Sequence, residues 1–184
     1  KSKPMKNYSI SLFVAIFSTI SFAQVQPTKY IKLISKESLK TNLYVISSEE
    51  MEGRNTGTKG QKKAGEYLIS QYIKAGISFP EGATDFYQRI PAASLNSRRS
   101  KNLPDSENIW AFIKGSEKPD EVLVISAHYD HIGVENGEIY HGADDDGSGT
   151  VALLEIAQAF QKAKKEGHGP KRSILILHVT GEEH

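Results

Sequence analysis

The chain contains no cysteine, which excludes a disulfide framework, a thiolate metal site, a thiol nucleophile and a lipidated N-terminal cysteine together. Any metal must therefore be held by nitrogen and oxygen. A dense basic run is also missing. Arg98, Arg99 and Lys101 make only a small cluster, and 23 basic against 22 acidic side chains leave a net charge of +1, which argues against a nucleic-acid partner. Long apolar runs are scarce too. Ile10 to Phe22 is shorter than the roughly 20 residues a bilayer-crossing helix needs, so no membrane span is expected. With Lys6 before it and Ser21-Phe22-Ala23 at its end, it reads as an export signal. Met5 is then the expected start, and cleavage before Gln24 would release a soluble, secreted or periplasmic protein. Removing residues 1–23 takes away Lys1, Lys3 and Lys6 and no acid, leaving 20 basic against 22 acidic residues, a net of −2.

What is present is ordinary for a folded domain: 38% hydrophobic and 24% charged residues over 184 positions. Tyr30 to Ile46 carries apolar residues at helical spacing and reads as one surface helix or two short ones. Thr58 followed by Gln61 is a capping-box pattern for a helix that runs to Ala75 and is ended by Gly76. Ala64, Leu68, Tyr72 and Ala75 form its apolar stripe. Thr84 to Ile90 reads as a strand and Pro91 to Glu107 as a loop. Asn108 to Lys114 and Glu121 to Ala127 read as an antiparallel hairpin, with Val122 to Ile125 apolar on both faces as in a covered central strand. From Ser148, Val151, Leu154, Ala157 and Phe160 recur every three residues until Lys162, Lys164, Lys165 and Gly167 close a helix. Ser173 to Val179 is another apolar strand, so strand, helix and strand predict a right-handed parallel crossover.

That crossover aligns the carboxyl ends of two strands, where open α/β sheets place their sites. His128 and Asp130 follow one strand, and Glu182 and Glu183 follow the other. Asp144, Asp145 and Asp146 lie just before the helix between them. Three ligand-rich turns at one sheet edge would make a metal site. One imidazole nitrogen can bind a metal while the other donates to a carboxylate that fixes the tautomer.

Each turn also has a bland explanation. His128 and Asp130 can simply cap a strand, and Glu182 and Glu183 can be solvated acids. Helix N-termini favour carboxylates by about 0.3–1 kcal/mol each. Partly buried like charges about 4 Å apart, however, repel by roughly 4 kcal/mol at an effective dielectric near 20, which a helix end does not offset and a divalent cation does. A rival pattern is a calcium loop, with Asp144, Asp146, Ser148, Gly149 and Glu155 at its positions 1, 3, 5, 6 and 12. It leaves His128 and the glutamate pair unexplained and lacks a preceding helix. His131 or His141 would touch metal mainly as a substrate-side or outer contact, while His178 belongs to the last strand and His168 to a Gly-rich turn.

Ala127-His128-Tyr129-Asp130-His131-Ile132-Gly133, Gly142-Ala143-Asp144-Asp145-Asp146-Gly147-Ser148-Gly149 and Gly181-Glu182-Glu183 resemble the co-catalytic zinc exopeptidases of the bacterial leucyl aminopeptidase type. Glu52-Gly53-Arg54 through Gly60 resembles the N-terminal part of the same family. The resemblance implies a three-layer αβα fold of α/β class with a mixed, mostly parallel central sheet. It implies two Zn2+ ions, with His128 on one, Asp144 bridging both and Glu183 on the second. Glu182 is then the general base, Asp130 orients His128, and a cis peptide joins Asp144 to Asp145. The family completes its site with a later Asp and His. Residues 24–184 are accordingly expected to be the N-terminal portion of a single zinc peptidase domain, inactive alone.

The implied activity is that of a secreted aminopeptidase acting on peptide substrates, with a water activated between two zinc ions and deprotonated by Glu182. A single-zinc glutaminyl cyclase of the same broad fold is the nearest alternative. The dinuclear deacylase and carboxypeptidase group is another, and a non-catalytic binding module of the same fold is a third.

Overall fold

The structure, a computed structural model, describes residues 27–96 and 102–184. The export signal expected on residues 1–23 and the cluster Arg98, Arg99 and Lys101 lie outside the described residues. No described helix is long and apolar enough to cross a membrane.

In chain order the helices are α1 (Thr28–Ile31), α2 (Lys36–Ile46), α3 (Lys59–Ala75), α4 (Ala92–Leu95) and α5 (Ser148–Lys165). The strands are β1 (Tyr87–Ile90), β2 (Ser106–Ile113), β3 (Lys118–His128), β4 (Gly133–Glu135), β5 (Glu138–Tyr140) and β6 (Arg172–Val179). The main sheet is mixed, in the order β1-β2-β6-β3, and β4 pairs with β5 in a small ribbon. Strand β6 runs antiparallel to β2 and parallel to β3. The expected β3, α5, β6 parallel unit is therefore present, within an α/β architecture.

The hairpin expected between the second and third strands does not form, because β6 lies between them. The link after β2 crosses the entry to β6: Ser116 N–H donates to Pro170 O at 3.0 Å and Glu117 N–H to Lys171 O at 3.1 Å. It is wide enough to admit one strand, and pairing with β6 satisfies both neighbours. Nor is β3 a covered central strand. It borders the described sheet, with Val122, Leu123 and Val124 47–54% exposed. Apolar residues on both faces signal a strand meant for burial, but they do not say which neighbour covers it.

The helical periodicities map onto the core. Ala64, Leu68 and Tyr72 of α3 and Val151, Leu154 and Ala157 of α5 pack in one cluster with Ile109, Ala111 and Ile113 of β2 and Ile174 and Ile176 of β6. The Tyr30–Ile46 segment divides into α1 and α2, and Ser35 caps α2 by accepting from Ser38 N–H at 3.0 Å. The α3 entry departs from the capping box. Gln61 Oε1 accepts from Gly57 N–H at 2.5 Å, while the Thr58 hydroxyl donates to Asn55 O at 2.6 Å. Glu155 rules out the calcium loop: it is buried in α5, where its carboxylate accepts from Ser38 Oγ and from Asn42 Nδ2 at 2.6 Å. Facing α2, it is not available to the aspartate turn.

Candidate metal centre

The β3–β6 register pairs His128 with Val179, so the residues that follow each strand emerge side by side. Two hydroxyl and amide networks fix these ends. Tyr129, fully buried, donates its hydroxyl to Glu107 O at 2.6 Å, and Thr150 Oγ1 donates to His128 O at 2.8 Å. On the other strand Thr180 N–H donates to Asn108 Oδ1 at 2.8 Å, and its hydroxyl accepts from Gln61 Nε2 at 2.6 Å. Gly181, at φ +80°, then turns the chain so that Glu182 and Glu183 face His128 and His131.

His128 Nδ1 lies 3.1 Å from the main-chain carbonyl of Asp130. A carbonyl only accepts, so Nδ1 carries the hydrogen and the neutral ring presents its Nε2 lone pair to the other side. That nitrogen lies 3.0 Å from Asp145 Oδ1 and 3.9 Å from Glu182 Oε2. A lone pair facing carboxylate oxygens is repulsive unless a cation sits among them. Burial works to lower the His128 pKa. The Asp130 carbonyl and the charges of Asp130, Asp146 and Glu182 outweigh it and raise the pKa above its usual value. A proton at Nε2 is thus the smallest cation that serves.

Two donor groups gather within 4.8 Å: His128 with Glu182 and Glu183, and His131 with Asp145 and Glu183. Glu183 belongs to both, and its Oε1 lies 2.7 Å from His131 Nδ1. Imidazole nitrogens and carboxylate oxygens at this spacing suit zinc or a similar divalent ion.

The structure corrects the expectation for the aspartate turn. Asp144 is exposed and belongs to neither donor group, and the cis peptide joins Asp145 to Asp146 rather than Asp144 to Asp145. Asp145 has extended backbone angles (φ −107°, ψ 101°), so successive side chains leave the turn in different directions. Only the middle one is directed at His128. Asp146 accepts from Gly149 N–H at 3.0 Å and so holds the first turn of α5. Asp130 is fully buried, but its carboxylate stands 3.9 Å from His128 Nδ1. It accepts instead from Thr56 Oγ1 at 2.7 Å, and its main-chain carbonyl contacts the ring.

Three participants were not legible as such. Asp145 is hidden by its two identical neighbours, Thr56 has no motif, and His131, expected mainly as a substrate-side or outer contact, belongs to a donor group and meets Glu183. His141 faces away from the acids, with Nδ1 2.8 Å from Ser47 O, and His178 is core.

Residues 108–184 match the model of peptidase family M28. The chain is similar to a probable zinc metalloprotease of Pyrenophora teres f. teres, 40% identical over 132 residues that cover 70% of this chain and 26% of that protein. Among solved structures it resembles Macrostomum lignano glutaminyl cyclase, with TM-score 0.63 and 18% identity over 88% of this chain and 43% of the other. It also resembles a leucine aminopeptidase precursor from Bacteroides thetaiotaomicron, with TM-score 0.59 and 21% identity over 80% and 47%. These structures establish the shared fold. The chain spans from 7% to 39% of the length of the curated relatives it matches.

Proposed function

We propose that this chain carries part of a zinc-dependent exopeptidase centre, of the aminopeptidase kind. The observation behind this reading is the His128 Nε2 lone pair turned toward the carboxylates of Asp145 and Glu182, with Glu183 beside them. His128, Asp145 and Glu183 would hold the metal. Two zinc ions bound there would supply Lewis acidity, polarising the scissile carbonyl and acidifying water.

The chain's own residues do the rest. The Asp130 carbonyl keeps the Nδ1–H tautomer of His128, and His131 Nδ1 against Glu183 Oε1 sets the direction of that carboxylate. Glu182, more open to solvent than Glu183, has a carboxylate free to take a proton from the attacking water and return it to the departing amine. Similarity to M28 and to a zinc metalloprotease supports hydrolysis of peptides. We further propose that the protein acts outside the cytoplasm, on the strength of residues 6–23.

The solved glutaminyl cyclases favour a second reading, a single-zinc cyclase. Metal analysis of the full-length protein, with assays on aminoacyl p-nitroanilides and on N-terminal glutamine peptides, separates the two. About two zinc ions per molecule with anilide hydrolysis supports the exopeptidase. One zinc with ring closure and no hydrolysis overturns it.

A further inference from the structure

Arg54 is the largest fully buried side chain of the described residues, and all four of its hydrogen bonds go to main-chain carbonyls. Nε donates to Tyr129 O at 2.8 Å, between His128 and Asp130. Nη1 donates to Ile46 O at 2.7 Å, at the end of α2, and to His141 O at 2.8 Å. Nη2 donates to Gly142 O at 2.8 Å, where the aspartate turn begins. The Arg54 main-chain carbonyl adds a further tie, accepting from His131 N–H at 3.1 Å. One residue thus brackets Asp130 from both sides and grips the root of the turn that delivers Asp145.

The backbone is bent to allow this. Glu52, Gly53 and Arg54 have φ of +50°, +63° and +55°, a left-handed run that non-glycine residues rarely adopt. Gly53 is required there, because a Cβ would meet Gly133 O and Tyr140 O. Burial pulls the Arg54 pKa down to about 10, against the opposing charges of Asp130, Asp145 and Asp146, so the group stays cationic at neutral pH. A buried cation bonded only to neutral carbonyls is costly as mere scaffolding. It is reasonable beside a cluster of acids that must stand close together before any metal arrives.

We propose that Arg54 is a positioning residue, which sets the His128 and Asp145 turns at metal-binding separation before metal binds. This rests on the reading of a zinc site given above. The planar five-donor fork is essential to it, since an ammonium at the same place has three donors and no fixed plane.

The test uses full-length protein, apo and zinc-loaded, as wild type and Arg54→Lys. Zinc affinity is read by competition with a chelating dye, and the folded fraction of each apo protein by circular dichroism. Positioning predicts folded Arg54→Lys with zinc affinity reduced about 10–100-fold. An affinity within about twofold of wild type in the folded variant overturns it. Should Arg54→Lys not fold, amide exchange in wild type decides. Protection of residues 128–131 and 142–147 already in the apo protein supports the proposal, and protection that appears only with zinc overturns it. Wild type that binds no zinc defeats the zinc-site reading itself, a different result from either.

Discussion

His178 Nε2 lies 2.6 Å from the Tyr72 hydroxyl inside the core, and His178 Nδ1 is buried with no hydrogen-bond partner. Burial lowers the His178 pKa from 6.5 to about 3, while the same burial raises that of Tyr72. Both groups are therefore neutral in the folded protein. The unfolded chain binds a proton at His178 below about pH 6.5 and the folded one does not until about pH 3, so stability falls as pH drops through that window. Between pH 7 and pH 5 the loss from this residue is about 2 kcal/mol. Urea unfolding of wild type and His178→Leu at both values checks this, the variant showing a pH dependence smaller by that amount.

Asp145 and Asp144 are adjacent but not equivalent. Asp145→Asn is expected to lower zinc affinity at least tenfold and to abolish most hydrolysis. Asp144→Asn, in an exposed side chain outside both donor groups, is expected to leave zinc affinity within about twofold. Equal losses in the two variants, measured by dye competition, would overturn the distinction between the two aspartates.

Glu182→Gln keeps the shape of the side chain and removes its basicity. Hydrolysis of an aminoacyl p-nitroanilide is expected to fall by about 100–10,000-fold while zinc content stays that of wild type. Zinc loss in parallel with activity would make Glu182 a ligand instead.

Gly142 stands at φ +53°, and a Cβ there would lie 2.5 Å from the His131 ring. Gly142→Ala is expected to destabilise the protein by about 1–3 kcal/mol through the left-handed backbone and the displaced ring. Because that ring bears on Glu183, zinc affinity should drop as well. Thermal melts of the apo form and zinc titration of the folded fraction read the two effects separately.

The sequence made the helices legible because each buries one stripe: Leu68 and Tyr72 on α3 and Leu154 and Ala157 on α5 repeat at helical spacing and meet in the same cluster. The strand order was less legible. Nothing in Val122 to Ile125 says that residues 172–179 will pair before residues 108–113 do, since pairing depends on the α5 crossover returning between them. The centre shows the same limit at smaller scale. His128, Glu182 and Glu183 follow from strand ends, whose direction the parallel crossover fixes. Asp145 depends on which way three identical side chains leave a non-helical turn, and Thr56 on a contact with Asp130 across 74 residues of chain. Arg54 belongs to the Glu52-Gly53-Arg54 segment, but only its burial and its carbonyl partners show what it does.

The border strand β3 has a consequence for handling the protein. A row of main-chain amide and carbonyl groups beside exposed Val122, Leu123 and Val124 is a template for a foreign strand. With that rim uncovered among the described residues, concentrated samples would be expected to clump through sheet extension, and one lysine in place of Leu123 should keep them dispersed.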